Sequence, residues 1–353
     1  MLLFLIVAKQ QGSSADIFGT GTKFLTLESK RRKTQWKQTK IKALTYNPYS
    51  TLFELDSNYL ADSGLPSDKL ILYCRPTFHY QFTFLRERVI NNSRLGWILG
   101  PPGTGKSTTA LAFASTLIGD EWVVTWIHLS RTKYPVCVRC EGDSKKTRDI
   151  EDTNIDELKD VLYDCDVSSK QYYIFNQRHI IFIDGYALTG DKHIDVQKAC
   201  YKWLEEDKNK RRLVVVCSMS SRGKTKLEED KMNKVEEFFV FSWKLEEYHN
   251  AVSFDDFFNS VKDNLDASNA PRAEDGVIAP SRFELVESKF YFAGGCSRFM
   301  FHFASSEVIS YLDDSVSAVD DVLQYINGVM GDRSNGVINR LFSCYQKVPS
   351  VNH

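Results

Sequence analysis

The sequence has no run long and apolar enough to cross a bilayer. Its most apolar stretch, Met1-Leu2-Leu3-Phe4-Leu5-Ile6-Val7-Ala8, falls far short of the roughly 20 residues a spanning helix requires. No basic segment precedes it, which argues against a signal peptide; it reads as a buried first strand of a soluble protein with no membrane partner. Net charge is nearly absent as well. Against 46 acidic residues stand 45 basic ones, a balance of −1, so any basic contact surface for nucleic acid has to be local. A disulfide framework is also missing. Eight cysteines scattered over 353 residues read as reduced thiols of a reducing compartment. Cys137 and Cys140 form one CxxC, but no second pair completes the four ligands of structural zinc, and His128 and His179 stand isolated. There is no internal repeat and no low-complexity tract. Aromatic side chains, by contrast, are plentiful, with 23 Phe, 16 Tyr and 6 Trp, and they exclude a disordered chain.

The clearest signal is Gly100-Pro101-Pro102-Gly103-Thr104-Gly105-Lys106-Ser107, which matches the eight-residue phosphate-loop pattern without a mismatch. The apolar Trp97-Ile98-Leu99 before it predicts a strand. The Ala- and Leu-rich run from Lys106 to Leu117 predicts a helix. Glycines allow successive backbone N–H groups to turn inward around a phosphate, and the helix start adds its positive dipole end. The expected ligand is ATP with Mg²⁺, held by residues 100–108, Thr108 included. Lys106 should reach the β- and γ-phosphates and Ser107 should ligate the metal.

Such a loop needs a second metal-facing acid on a neighbouring strand. Ile180-Ile181-Phe182-Ile183-Asp184 supplies it, with Asp184 at the strand end. Many ATPases place a Glu directly after that Asp to orient the attacking water; here the residue is Gly185. A glycine cannot polarise water, so another acid does the work (Asp191 is the nearest candidate in sequence) or hydrolysis is slow. After the strand Leu213–Cys217, Ser218 or Ser220 could sit near the γ-phosphate, and Arg222 could reach a phosphate. Further on, Gly294-Gly295-Cys296-Ser297-Arg298 places two glycines and an arginine before a helix. The glycines permit a sharp lid turn, and Arg298 could stabilise charge on a transferring phosphoryl group.

Alternating patterns predict helices at 78–91, 155–162 and 194–206, and strands at 122–129, 180–183, 213–217 and 238–243. That alternation argues for an α/β fold, a parallel sheet with helices on both faces. The chain divides into an N-terminal region (1–70) with a basic stretch at Lys30-Arg31-Arg32-Lys33, a nucleotide-binding core (71–263) and a mostly helical C-terminal lid (264–353). Asp62–Ser67 reads as a linker and Asn264–Pro280 as a loop or hinge.

Several stretches together resemble the P-loop ATPase module of the Crinkler effectors of oomycetes and related eukaryotes. They are Leu72-Tyr73-Cys74-Arg75-Pro76-Thr77-Phe78-His79, the phosphate loop, Trp126-Ile127-His128-Leu129, Phe182-Ile183-Asp184-Gly185, His193-Ile194-Asp195-Val196-Gln197-Lys198-Ala199-Cys200, Cys217-Ser218-Met219-Ser220-Ser221-Arg222 and Ser288-Lys289-Phe290-Tyr291-Phe292-Ala293-Gly294-Gly295. Retrotransposon hot spot proteins of trypanosomes carry a similar module. The resemblance covers about residues 70–345. It implies a three-layer P-loop NTPase sandwich of the AAA+/STAND type, Asp184-Gly185 included, in a protein secreted into host cells that often reaches the nucleus. Leu3-Phe4-Leu5-Ile6-Val7-Ala8-Lys9 is an interrupted echo of that family's Leu-Phe-Leu-Ala-Lys segment, and residues 299–353 carry no nuclease pattern. Three functions stay open: a hydrolysing switch that closes the lid over bound ATP, a binding-only switch that engages a host protein, and an accessory ATPase that acts on nucleic acid. Assembly into a homo-oligomer is compatible with each.

Overall fold

The computed structural model describes residues 36–65, 69–92, 95–119, 121–130, 133–150, 155–163, 178–187, 191–222, 227–266 and 279–317. The expected first strand, the Lys30–Lys33 run and most of the 264–280 connection lie outside the described residues.

Five strands run parallel in the spatial order β5 (Trp122–His128), β8 (Arg178–Tyr186), β9 (Arg211–Cys217), β4 (Leu95–Leu99), β10 (Val235–Phe239). Successive side chains on a strand point to opposite faces, so the fully apolar runs supply two cores at once. Ile98, Val124, Trp126, Phe182 and Val214 pack with α3 (Lys106–Thr116) and with α2 (Pro76–Phe84), which continues as a π-helical stretch to Asn91. Trp97, Ile127, Ile181, Ile183 and Val215 pack with α4 (Ile155–Tyr163) and α5 (Asp191–Glu206). The result is a three-layer P-loop NTPase sandwich.

The sheet is mixed rather than purely parallel. A hairpin of β6 (Val136–Glu141) and β7 (Ser144–Asp149) extends it antiparallel from β5, turning at Gly142 with φ +58°. The exposed strand β1 (Lys37–Lys40) then adds an edge beyond β7. The thiols of the CxxC therefore sit within a buried strand and not on a connector. Cys137 belongs to one core and Cys140 to the other, so the sheet itself separates them.

The N-terminal boundary at residue 70 runs through connected structure. β2 (Leu52–Leu55) pairs antiparallel with β3 (Leu70–Tyr73), and α1 (Ser57–Leu60) follows β2. The turn after α1, expected to be a linker, is docked: Lys145 Nζ donates to the carbonyls of Asn58 (2.5 Å) and Ala61 (2.6 Å), and Trp126 Nε1 donates to Ser63 O at 3.0 Å. Two short helices, α6 (Met219–Arg222) and α7 (Leu227–Met232), join β9 to β10.

Beyond the sheet, α8 (Leu245–Ser253), α9 (Asp255–Val261), α10 (Arg282–Ala293), α11 (Ser297–Phe301) and α12 (Ser305–Ser317) enclose a third core around Tyr248, Val252, Val286 and Met300. Ile71 and Tyr73 of β3 pack against that core. The C-terminal segment is mostly helical, as expected, but residues from both sides of the expected boundary share its interior. Lys289 is fully buried there and donates to the carbonyls of Asn264 and Phe303. Burial pushes its ammonium down to about 8.

Arg75, the residue before the proline that starts α2, joins these parts. Only 4% exposed, its guanidinium donates to Thr104 O (3.0 Å) of the phosphate loop and to Phe241 O (2.6 Å) after β10. It also meets Glu247 of α8 at 3.2 Å and lies over the Trp243 ring. Removing one partner of a buried ion pair strands the other, so Arg75→Ala should lower the unfolding free energy by about 3–5 kcal/mol. Urea denaturation measures this; a loss under about 1 kcal/mol would mean that the three segments hold together without it.

Candidate nucleotide site

The site forms at the carboxyl ends of the parallel strands, where an open α/β sheet offers a crevice. After β4 the chain turns through Gly100, Gly103 and Gly105 with φ of +157°, +72° and +90°. The loop ends in α3, whose N-cap Gly105 has no side-chain cap. Its first N–H groups have no partner within the helix and are left to an anion.

Lys106 is buried inside the loop, where Nζ donates to Gly100 O (2.9 Å) and Pro101 O (2.6 Å). Burial pushes its ammonium down to about 8, with nearby Cys217 and Asp184 pulling it up and Arg298 pushing it further down. Thr104 and Thr108 hydroxyls donate to Pro101 O and Gly105 O, both at 2.9 Å, and thereby fix the loop's shape. Pro102 lines the clefts on both sides of it.

β8 ends beside this loop, although β9 lies between it and β4; the acid is thus on the next strand but one. Ser107 Oγ donates to Asp184 Oδ1 at 2.5 Å, and Asp184 is 3% exposed. A hydroxyl and a carboxylate are hard oxygen donors of the kind Mg²⁺ prefers, so the pair fits the metal expected of it.

Gly185 follows at a register shift between β8 and β9, with φ +76°. A Cβ there would overlap the carbonyl oxygen of Leu129. A side chain there would have to shift the Leu129 peptide, whose N–H donates to Asp184 O at 2.9 Å and links β8 to β5. Glycine suits this backbone.

A cleft of about 480 Å³ has Lys106, Ser107, Asp184, Ser218 and Arg298 along its walls. The structure therefore gathers three of the proposed polar groups around the phosphate loop. Ser218 Oγ lies 2.7 Å from Ser221 Oγ. Arg298 is exposed on α11. Arg222 is engaged elsewhere, paired with Asp230 (2.7 Å) and Glu237 (2.9 Å) and stacked on Trp97, and is no phosphate ligand in this arrangement. The side chains of Asp191 and Ser220 lie outside the described residues.

The two glycines before Arg298 have structural tasks. Gly294 ends α10 with φ +51°. Gly295 lets the chain pass against Ser242, whose Cβ an added side chain would meet, and its carbonyl accepts from Trp243 N at 3.0 Å. Ser297 then bonds the phosphate loop itself: its N–H (2.8 Å) and its hydroxyl (2.7 Å) both donate to Gly103 O. Arg75, Ser297 and His128, whose Nδ1 lies 3.0 Å from Asp184 Oδ2, stand in stretches that the sequence reading singled out without giving these residues a role. His128 had a further local signal, its place at the end of a strand like that of Asp184.

Residues 97–242 match the family described as "ATPase family associated with various cellular activities (AAA)". No curated protein matches the chain. Among solved structures, it is similar to the Orc1 protein of Aeropyrum pernix in complex with DNA, at 11% identity and a TM-score of 0.34, covering 58% of this chain and 53% of that one. It is similar to an arginine-to-alanine variant of Thermotoga maritima RuvB, at 13% identity and 0.34, covering 70% and 67%. Similarity to PCH-2 of C. elegans stands at 12% and 0.34, covering 69% and 63%. The chain thus spans about half to two thirds of each. The family match falls on the strands and loops just described: residues 97–242, under half of the chain, are similar to that family, and their fold is that of an ATP-binding P-loop NTPase.

Proposed function

We propose that the chain is a Mg²⁺-dependent ATPase switch whose C-terminal helices respond to the occupant of the phosphate loop. The observation that carries this is the convergence of Lys106, Ser107, Asp184 and Arg298 on one cleft, with α11 hydrogen-bonded to the same loop. Lys106 would exchange two backbone carbonyls for phosphate oxygens. Ser107 and Asp184 would hold Mg²⁺, which supplies charge neutralisation on the phosphates. Along the same loop, a cleft of about 710 Å³ with Leu70, Leu72, Phe78, Phe257 and Val261 in its walls suits a flat apolar base. Arg298, set beside Lys106, would meet charge that develops during phosphoryl transfer.

A binding-only switch is the second reading, favoured by the closed backbone at Gly185. The Crinkler resemblance supports an effector acting inside host cells as the setting. Its motifs contribute Arg75, the phosphate loop, His128, Asp184 and Ser218 to this one region.

The test is nucleotide binding and turnover in the purified chain. Lys106→Ala should abolish tight binding of a fluorescent ATP analogue. Asp184→Asn should slow Mg²⁺-dependent hydrolysis at least ~10-fold, about 1.4 kcal/mol of barrier. Arg298→Ala should keep its affinity and melting temperature while losing most turnover. A parent chain that binds ATP without hydrolysing it would establish the binding-only switch instead.

A pH dependence follows from Lys106. With no nucleotide bound, it carries its charge below about 8 and loses it above. A triphosphate favours the ammonium and raises its pKa again, so above about 8 binding takes up a proton. Affinity should be level below that pH and fall by up to about tenfold per unit above it. Level affinity from about pH 7 to pH 10 would mean that Lys106 keeps an ordinary ammonium in the free chain or does not meet the phosphates.

A further inference from the structure

We infer that His128 is a positioning residue for the metal-facing carboxylate, holding Asp184 in plane from the strand next door. The inference rests on the Mg²⁺–nucleotide reading above. The parallel register sets His128 of β5 opposite Asp184 of β8. Both oxygens of this buried carboxylate are engaged, Oδ1 by Ser107 Oγ at 2.5 Å and Oδ2 by His128 Nδ1 at 3.0 Å. An ionised carboxylate only accepts, so Nδ1 carries the proton and the ring's orientation is set.

The two bonds restrain different oxygens of the carboxylate. A hydroxyl has two lone pairs besides its hydrogen, so Ser107 would ligate Mg²⁺ while still donating to Oδ1. His128 would hold Oδ2 from the adjacent strand. The structure braces that ring on one face. Gly64, at φ +80°, lies so close that an added Cβ would overlap ring atoms Cγ, Nδ1 and Cδ2. The turn that carries Gly64 is itself held by Trp126 Nε1 on Ser63 O. Gly185 leaves room on the third side, its absent Cβ 3.7 Å from His128 Cε1. Partners that orient metal ligands from behind typically govern 10–100-fold in metal affinity.

The experiment compares His128→Phe, which keeps a ring against Gly64 but donates nothing, with His128→Asn, whose amide N–H can take the place of Nδ1–H. In the full chain, a fluorescent ATP analogue is titrated with Mg²⁺ to find the metal midpoint, and titrated again in EDTA without metal. His128→Phe should raise the midpoint about 10-fold or more and leave metal-free affinity unchanged, whereas His128→Asn should stay near the parent. An unshifted midpoint in His128→Phe overturns the inference. So does an equal shift in both variants, which would assign the effect to imidazole packing. A parent chain whose nucleotide binding ignores Mg²⁺ overturns the metal reading first, and this inference with it; the parent curve alone reveals that case.

Discussion

A guanidinium removed from water must find acceptors for its N–H groups, and that requirement at Arg75 organises much of this molecule. Its partners come from three separate stretches: Thr104 in the phosphate loop, Phe241 after the last parallel strand, and Glu247 on the first C-terminal helix. Ser297 adds two donors on the neighbouring carbonyl of Gly103. With these two acceptors tied down on the protein side, the peptide units of the loop are oriented before any ligand arrives. Pre-set dipoles bind an anion without the reorganisation that a floppy loop would require. The cost falls on the polar groups that were buried to do it, and each of these is satisfied by backbone or by an opposite charge.

The same logic accounts for the residue that departs from the common ATPase pattern. Gly185 stands where the β8–β9 register shifts, in a left-handed backbone conformation, against a carbonyl of the adjacent strand. Bulges re-aim side chains near active sites; this one brings Tyr186 into the buried layer against Trp97 and removes the position from which a glutamate would reach water. Among the described residues the cleft sets two cations, Lys106 and Arg298, against one acid, Asp184, with Arg298 close enough to push the Lys106 ammonium down. Such a site is built first to hold negative charge.

Much of this was legible in the sequence because strand and helix periodicities are local. The parallel strands and α3, α4 and α5 lie within a few residues of where apolar spacing predicts them, and the glycine pattern located the phosphate cradle. What escaped was non-local. The second strand of the β6–β7 hairpin has no apolar residue in Ser144-Lys145-Lys146-Thr147-Arg148, and its buried Lys145 and Arg148 disguise a sheet strand as surface. β1 is exposed at every residue and has no apolar face to detect. Arg75 reads as one arginine among many until its partners, about 30 and 170 positions away in the chain, are brought beside it. His128 and Asp184 are likewise joined only by strand register.

The glycines before Arg298 have structural reasons of their own. Two glycines before an arginine suggested a sharp lid turn; one ends a helix and the other lets the chain pass against Ser242. The C-terminal helices enclose a core that also receives Ile71 and Tyr73 from the N-terminal side, so a swing of the whole segment would expose large apolar side chains, each worth on the order of 1.5–3 kcal/mol when fully buried. Loss of the two Ser297 bonds to Gly103 costs far less, on the order of 0.5–1.5 kcal/mol apiece. A nucleotide that reshapes the phosphate loop therefore has a cheaper route of communication than domain opening: a shift of α11's first turn, carrying Arg298 with it, while the helical core stays packed. On the proposed switch, that ordering of energies would make α11 the responsive element and the remaining helices its foundation.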